Sequence, residues 1–317
     1  MLKVKVGLIG MGAVGERILR QFQQHEEIEI AALCDRNEER LNKLKVELPA
    51  AAMYTDHLDL LQDETIDLIY LGVPPKFHHA IAMDIIRSRK NLLCEKPLAN
   101  SVAEAKEMYE AAERADIIHA MNFPMVYSQA FQVFKEKIQS GELGKIKKIE
   151  LHLHFTHWPR SWQKNEWISS REQGGFIREV APHFIQMIHE VFGEMGDIHS
   201  FVEYPEDEHL CETSFISSMK LPGNIPVLFN GIADIGQKEH LSFKVFGDKG
   251  TLDMLNWGIL SQSTAADNGE PISLEAAEKN SLAEELLKAI KGDSAKLVSF
   301  KEGFGVQKVL EALIKAK

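Results

Sequence analysis

Val4-Lys5-Val6-Gly7-Leu8-Ile9-Gly10-Met11-Gly12-Ala13-Val14-Gly15 is the stretch whose reading decides the fold. Residues 4–9 read as a buried strand, and 13–24 as a helix with Val14, Ile18, Leu19 and Phe22 at helical spacing. Residues 28–33 form a second strand, and Asp35 follows it, 20 residues past Gly15. Strand, glycine run, helix, strand and acid at that spacing make a βαβ unit suited to a dinucleotide. Gly10 permits the tight turn, Gly12 lets the backbone approach a pyrophosphate, and Gly15 lets helix and strand pack closely. The helix N-terminus after Gly12, at Ala13 and Val14, presents free N–H groups and a positive dipole end to the phosphates. Asp35 accepts hydrogen bonds from ribose hydroxyls and repels a 2′-phosphate, which favours NAD. Arg36 keeps NADP open, because a guanidinium pairs with a 2′-phosphate or stacks on adenine.

The same grammar continues outward. A helix is expected over 38–48, a short strand near 52–54, a strand over 67–72, a helix over 77–88 and a strand over 91–94. Ser101, with Glu104 three residues on, opens a helix through a capping box. A last strand lies over 117–120. Strands alternating with helices imply a doubly wound parallel sheet, and the first domain is set at 1–122. Beyond Asn122 a helix is expected at 127–139. Strands follow at 146–157, 197–204, 211–220, 226–233 and 241–247, with one helix at 180–192 among them. Strands in series without crossover helices imply an α+β domain, 123–317, with an open, mostly antiparallel mixed sheet. The helix of about 304–316 is expected to pack back on the first domain.

Composition excludes several classes. The chain has 317 residues, 44% of them hydrophobic, and a net charge of −11, which suits no polyanionic partner. Lys145-Ile-Lys-Lys148 is too short a basic run to bind nucleic acid. No apolar run is long enough for a membrane span, and the N-terminal run is not a signal peptide. The three cysteines, Cys34, Cys94 and Cys211, are widely spaced, which suits a reducing, cytoplasmic setting.

Two clusters carry chemistry. Cys94-Glu95-Lys96-Pro97 stands at the C-terminal end of a parallel strand, where open α/β sheets gather ligands. Gly174-Gly175-Phe-Ile-Arg-Glu179-Val-Ala-Pro182-His183 places Glu179 and His183 four residues apart, on one helix face. A carboxylate and an imidazole so placed can polarise a hydroxyl and pass a proton. Pro182 suits the first turn of that helix.

With these residues in place, the chain resembles the glucose–fructose oxidoreductase / inositol dehydrogenase (GFO/IDH/MocA) family over nearly its whole length. The landmarks are Gly10–Gly15, Val73-Pro74-Pro75 with His78, Glu95-Lys96-Pro97, Ser140-Gly141-Glu-Leu-Gly144, Trp167 and the segment from Gly174 to His183. The resemblance implies a Rossmann domain and an open-sheet domain with the cleft between them. It implies hydride transfer between a nicotinamide and a sugar, cyclitol or sugar-acid carbinol carbon. It implies homodimers or homotetramers built through the open sheet. The expected cofactor set is Gly10 through Gly15, Asp35, Arg36, Val73, Pro74, His78, Glu95, Lys96 and Asn122. Lys96 resembles the family lysine that bonds the reacting hydroxyl, and His183 the histidine facing the same oxygen. Glu179 stands where the family usually has Asp. Gln173, Ala181, Pro182, Gln186 and Phe123 also depart from the family pattern, all around the substrate pocket.

Three of the four tryptophans, Trp158, Trp162 and Trp167, fall within ten residues. Trp158 and Trp162 are expected to stack on a sugar and Trp167 to be structural. His152 and His154 alternate onto one strand face as polar decoration, with no ligand set completing a metal site. Two other functions stay open: a dinucleotide-binding regulator without turnover, and a reductase or hydride-shuttle enzyme acting on a non-sugar substrate.

Overall fold

A computed structural model describes residues 3–163, 165–274 and 281–315, without the side chain of Asn268. The chain divides into two units, Met1–Asn122 with Asn280–Phe304, and Phe123–Lys279 with Gly305–Lys317.

In chain order the first unit holds β1 (Val4–Ile9), α1 (Ala13–Gln23), β2 (Ile28–Cys34), α2 (Glu38–Glu47), β3 (Ala52–Tyr54), α3 (His57–Leu61), β4 (Leu68–Leu71), α4 (His78–Arg87), β5 (Asn91–Cys94), α5 (Val102–Ala115) and β6 (His119–Met121). Its strands pair in parallel in the order β3-β2-β1-β4-β5-β6, the doubly wound topology. β1, β4 and β5 are apolar almost throughout because helices cover both faces. Ile18, Leu19 and Phe22 of α1 meet Val6, Leu8 and Leu33 in one core. Ala283, Leu286 and Leu287 join the same core from a helix far along the chain, α8 below.

The second unit opens with α6 (Gln129–Gln139), β7 (Ile146–His154), α7 (Phe176–Phe192), β8 (Gly196–Glu203), β9 (Ser214–Leu221), β10 (Ile225–Ile232) and β11 (His240–Gly247). β12 (Thr251–Leu255), β13 (Ile259–Thr264) and β14 (Asp267–Pro271) complete it. After these come α8 (Leu282–Ile290) and α9 (Phe300–Ile314); of these two, only α9 from Gly305 onward belongs to this unit. The eight strands run β14-β13-β12-β11-β7-β10-β9-β8, antiparallel except for β7 with β10. Ile149, Leu151 and Leu153 of β7 are buried, as are Val227 and Phe229 of β10 and Phe243 of β11, whereas Phe201, Ile216 and Ile259 stay exposed. One face of the sheet is therefore packed and the other open, the period-two signature of a half-covered sheet.

Two local expectations are corrected, and four elements lie outside those expected. α7 starts at Phe176, not near 180, so Pro182 lies inside the helix rather than in its first turn. There its ring removes the bond that an N–H would make to the Arg178 carbonyl. β12, β13 and β14 fall in a stretch whose serines, threonines and glutamine hid the alternation. Helix α8 was not foreseen either. Finally, Ser101 caps the Glu104 N–H at 3.2 Å, but the Glu104 carboxylate takes the Asn100 N–H at 3.1 Å instead of closing the box. The reciprocal box belongs to Ser281 and Glu284 at the start of α8.

Candidate active site

In the first unit the singled-out side chains gather beyond the C-terminal ends of β1, β2, β4, β5 and β6. Gly10 donates its N–H to the Cys34 carbonyl at 2.8 Å and turns at φ +93°. A Cβ on Gly10 would lie 2.5 Å from the Gly72 carbonyl oxygen, and one on Gly15 would lie 2.0 Å from the Gly10 oxygen. These two glycines are there for backbone contact. Gly12 differs, because a Cβ there would meet nothing within 4 Å. Gly12 is also the N-cap of α1 and supplies no side-chain cap, so the helix dipole and its first N–H groups face open space. Ala13 is exposed beside it, Val14 half-buried and Met11 fully buried. Open space over an uncapped helix N-terminus is what a pyrophosphate requires.

Asp35 is more occupied than its sequence role suggests. Its Oδ2 accepts the Met11 N–H at 2.7 Å and Arg40 Nη1 at 2.9 Å, and its Oδ1 accepts the Asn37 N–H at 2.8 Å. The carboxylate therefore first locks the glycine loop to the end of β2. With about four lone-pair sites in all, it keeps about one acceptor position for a ribose hydroxyl. Arg36 lies over the Phe77 ring, 5.4 Å from its centroid, a flat stacked cation next to Asp35.

Lys96 is half-buried between buried Glu95 and buried Pro97. Glu95 accepts a hydrogen bond from Tyr70 Oη at 3.0 Å and another from Asn122 Nδ2. Burial pushes its carboxyl above the usual carboxylate value, opposed by Asn122, the Lys96 charge and Tyr70. Asn122 is 2% exposed, and its Oδ1 has no hydrogen-bond partner. His78 is fully buried, with Nδ1 2.9 Å from the Pro97 carbonyl and Nε2 2.7 Å from the Val73 carbonyl. It staples the Val73-Pro74 loop to the Lys96 turn. Burial lowers its pKa, so the neutral ring donates to one carbonyl at a time. Burial pushes the Cys34 thiol up to about 12 and the Cys94 thiol well up, so neither is a nucleophile.

In the second unit α7 carries the other pair. Glu179 sits in its first turn, where the helix dipole favours a carboxylate. Glu179 and His183 are half-exposed on one face, while Val180, Ala181, Pro182, Phe184 and Gln186 are buried. The His183 ring stands edge-to-face with Phe123 at 5.8 Å and with Trp257 at 5.7 Å. Trp158 packs on Phe155 and Phe176, and the Arg160 guanidinium lies over both its indole and that of Trp257. Trp162 is 62% exposed and Trp167 half-buried. His152 and His154 stack at 5.5 Å on the open sheet face. Among the described residues no group of three His, Cys, Asp or Glu is placed to hold a metal ion.

Sequence reasoning missed two residues. Trp257 is one. Glu212 is the other, 3% exposed, its Oε1 accepting the Ile177 N–H at 2.7 Å at the start of α7. Gly175 turns at φ +94°, and a Cβ there would lie 2.2 Å from the Glu212 carboxylate, which explains the second glycine of the pair. Gly174 is tight against the Trp167 and Ile168 carbonyls, each 2.3 Å from its would-be Cβ. No local spacing links position 212 to 175. The only sequence signal was an acid placed just before an alternating strand.

Burial pushes Glu212 up to about 7, against the Ile177 N–H and the charges of Arg178 and Arg171. An acid raised in the folded state binds more protons folded than unfolded between its two pKa values. Its stabilising contribution is complete below about 4.5 and is lost as pH rises through about 7. The loss is on the order of 3 kcal/mol. His189, pushed down to about 4 by burial, has the opposite slope and is unchanged by substitution at 212. Glu212→Gln is therefore expected to flatten the fall in melting temperature between about pH 5 and about pH 8. Equal slopes in variant and wild type would contradict this.

The fold and the glycine cradle together define a dinucleotide-binding Rossmann domain followed by an open-sheet domain. Residues 4–123 match the profile described as an oxidoreductase family, NAD-binding Rossmann fold, and residues 135–317 match that family's C-terminal alpha/beta domain. The chain belongs to the GFO/IDH/MocA oxidoreductase family, and its first unit is an NAD-binding Rossmann domain. It is 24% identical over 191 residues to the myo-inositol 2-dehydrogenase of Thermotoga maritima, covering 60% of this chain and 55% of that one. It spans about half the length of the curated relatives it matches. Its fold is similar to that of the WlbA dehydrogenase from Bordetella pertussis in complex with NADH and UDP-GlcNAcA. The TM-score is 0.84 at 18% identity, covering 98% of this chain and 95% of that one. It is also similar to levoglucosan dehydrogenase in complex with NADH and levoglucosan, with a TM-score of 0.83 at 18% identity over 99% and 97% of the two chains. Among the described residues no helix is long and apolar enough to cross a membrane.

Proposed function

We propose that this chain is an NAD-dependent dehydrogenase acting on a CH–OH group of a sugar, cyclitol or sugar acid. The observation that carries this reading is the half-exposed Lys96 beyond the end of β5, held between buried Glu95 and Pro97 in the cofactor unit. The bound dinucleotide supplies the hydride acceptor. Lys96 takes the proton of the substrate hydroxyl, and its position depends on the Glu95–Tyr70–Asn122 hydrogen bonds and the His78 staple beside it. His183, with Glu179 one turn earlier on the same face of α7, is the second unit's candidate for polarising a substrate hydroxyl. Asp35 holds the Met11 N–H and with it the glycine loop. NAD is the cofactor this loop favours.

The test is nicotinamide absorbance with NAD and a panel of cyclitols, aldoses and aldonic or uronic acids. Reduction by at least one of them is expected. NADH binding without turnover on any of them would overturn the proposal in favour of a dinucleotide-binding regulator.

The same reading includes self-association through the open sheet face. Phe201 and Ile216 pair across β8 and β9, are 61% and 56% exposed, and give that face an apolar strip. Phe201→Glu with Ile216→Glu is expected to convert a dimer or tetramer to monomer in light scattering. A monomeric wild type, or an unchanged oligomer in the double variant, would contradict it.

A further inference from the structure

Trp257 occupies a position that the backbone makes costly. The turn between β12 and β13 runs through Asn256 at φ +43° and Trp257 at φ +74°, two successive left-handed residues. Such tight hairpin turns favour Asn followed by Gly. Asn256 suits its place: its Oδ1 accepts the Leu241 N–H at 3.1 Å, and its own N–H donates to the Leu241 carbonyl at 2.9 Å. A bulky indole at the next position is strained where glycine would not be. Strain of this kind persists where the side chain is needed.

The ring of Trp257 is held from several sides. It stacks on Phe184 at 5.3 Å and 29° and meets His183 at 5.7 Å and 85°. It stays half-exposed, as does His183. Arg160 lies 5.9 Å from its centroid and is already engaged: Nε and Nη2 donate to the two oxygens of Glu239 at 2.8 and 3.1 Å. Beside the half-exposed imidazole stand the rings of Phe123 and Trp257, and the cation over Trp257, Arg160, is held by both oxygens of Glu239.

We propose that Trp257 is a specificity-determining residue on which the C–H face of a neutral pyranose or cyclitol ring rests while His183 holds a ring hydroxyl. Aromatic faces attract the polarised C–H bonds of such rings and leave the equatorial hydroxyls for hydrogen bonding. A sugar acid gains nothing from Arg160, because a second carboxylate would compete with Glu239 for one guanidinium. This narrows the substrate class and rests on the assignment of His183 above. Trp158 and Trp162 are not the platform. Trp158 is packed against Phe155 and Phe176, and Trp162 stands out in solvent.

The test uses the full chain with NAD, and the panel pairs neutral rings with their acids: myo-inositol, glucose and galactose against glucuronate and galacturonate. Wild type is expected to prefer the neutral members. Trp257→Leu is expected to raise KM for them about 3- to 10-fold, with kcat within about threefold and the NADH dissociation constant unchanged. Trp257→Phe is expected to restore most of the loss. Trp257→Gly removes the ring while relieving the turn, so it is expected to match Trp257→Leu in KM but to melt higher. Saturation-transfer NMR on myo-inositol with wild type and Trp257→Leu reads the contact without turnover, and ring C–H signals should be lost in the variant. Preference for the acids, or an unchanged KM with turnover intact, overturns this inference and leaves the dehydrogenase reading standing. No turnover by wild type, with saturation transfer that depends on Trp257, overturns the dehydrogenase reading and supports the platform. Absence of both signals overturns both.

Discussion

Lys96→Ala is expected to lower turnover by about 10²- to 10⁴-fold while leaving NADH affinity within about twofold. The magnitude is that of removing a general base, the role proposed for Lys96. The selectivity follows from where the dinucleotide is held. The glycine loop is fixed by backbone contacts and by the bond from Met11 to Asp35, none of which involves Lys96. An equal loss in kcat and kcat/KM identifies an interaction made only in the transition state. The neighbouring Glu95 provides a control. It is buried and bonded to Tyr70 and Asn122, so Glu95→Gln should disturb the position of Lys96 and cost less than loss of the amine itself. Wild-type turnover in Lys96→Ala would remove the central assignment.

The second large effect separates two glycines that the motif treats alike. Gly15→Ala places a methyl group 2.0 Å from the Gly10 carbonyl oxygen, a contact that only backbone movement relieves. Overpacking of that kind costs on the order of 1–3 kcal/mol. A lower melting temperature and a dinucleotide affinity reduced at least about 100-fold are both expected. Gly12→Ala meets nothing within 4 Å, and its backbone, at φ −71°, is open to any residue. The fold should therefore accept it unchanged, and the methyl group should instead occupy the space of the pyrophosphate. The expected result is an unaltered melting temperature with NADH binding weakened at least about tenfold, the order of one misplaced methyl group. Differential scanning fluorimetry with and without NADH reads both. Equal destabilisation by the two substitutions would contradict the separation.

The contrast shows how much of the molecule was legible in advance. The glycine run, the strand before it and the acid after it are local, so their spacing carried the first unit. The alternation of apolar strands with amphipathic helices carried the rest of that sheet. Lys96 and the Glu179–His183 pair could be singled out as candidates for the same reason, since each sits in a short motif on one element. What was hidden depends on distant contacts. Glu212 gives α7 its N-terminal anchor from a loop before β9, and this moved the helix start to Phe176 and put Pro182 inside it. Helix α8 completes the core of the first unit after the chain has built most of the second. Trp257 sits in a hairpin whose flanking strands carry Ser261, Gln262 and Ser263 in place of a clean apolar alternation. The cluster from Trp158 to Trp167 stood out by density, whereas Trp257, the indole beside His183, is isolated in sequence.

The proposed hydride transfer, with Lys96 as the proton acceptor, has one direct test. The most direct measurement follows nicotinamide absorbance over time with NAD and the neutral ring panel, for wild type and Lys96→Ala side by side. Reduction of NAD by wild type, a loss of about 10²-fold or more in the variant and equal NADH affinity for both are expected. Reduction at the same rate in both proteins, or NADH binding with no reduction by wild type on any member of the panel, would contradict it.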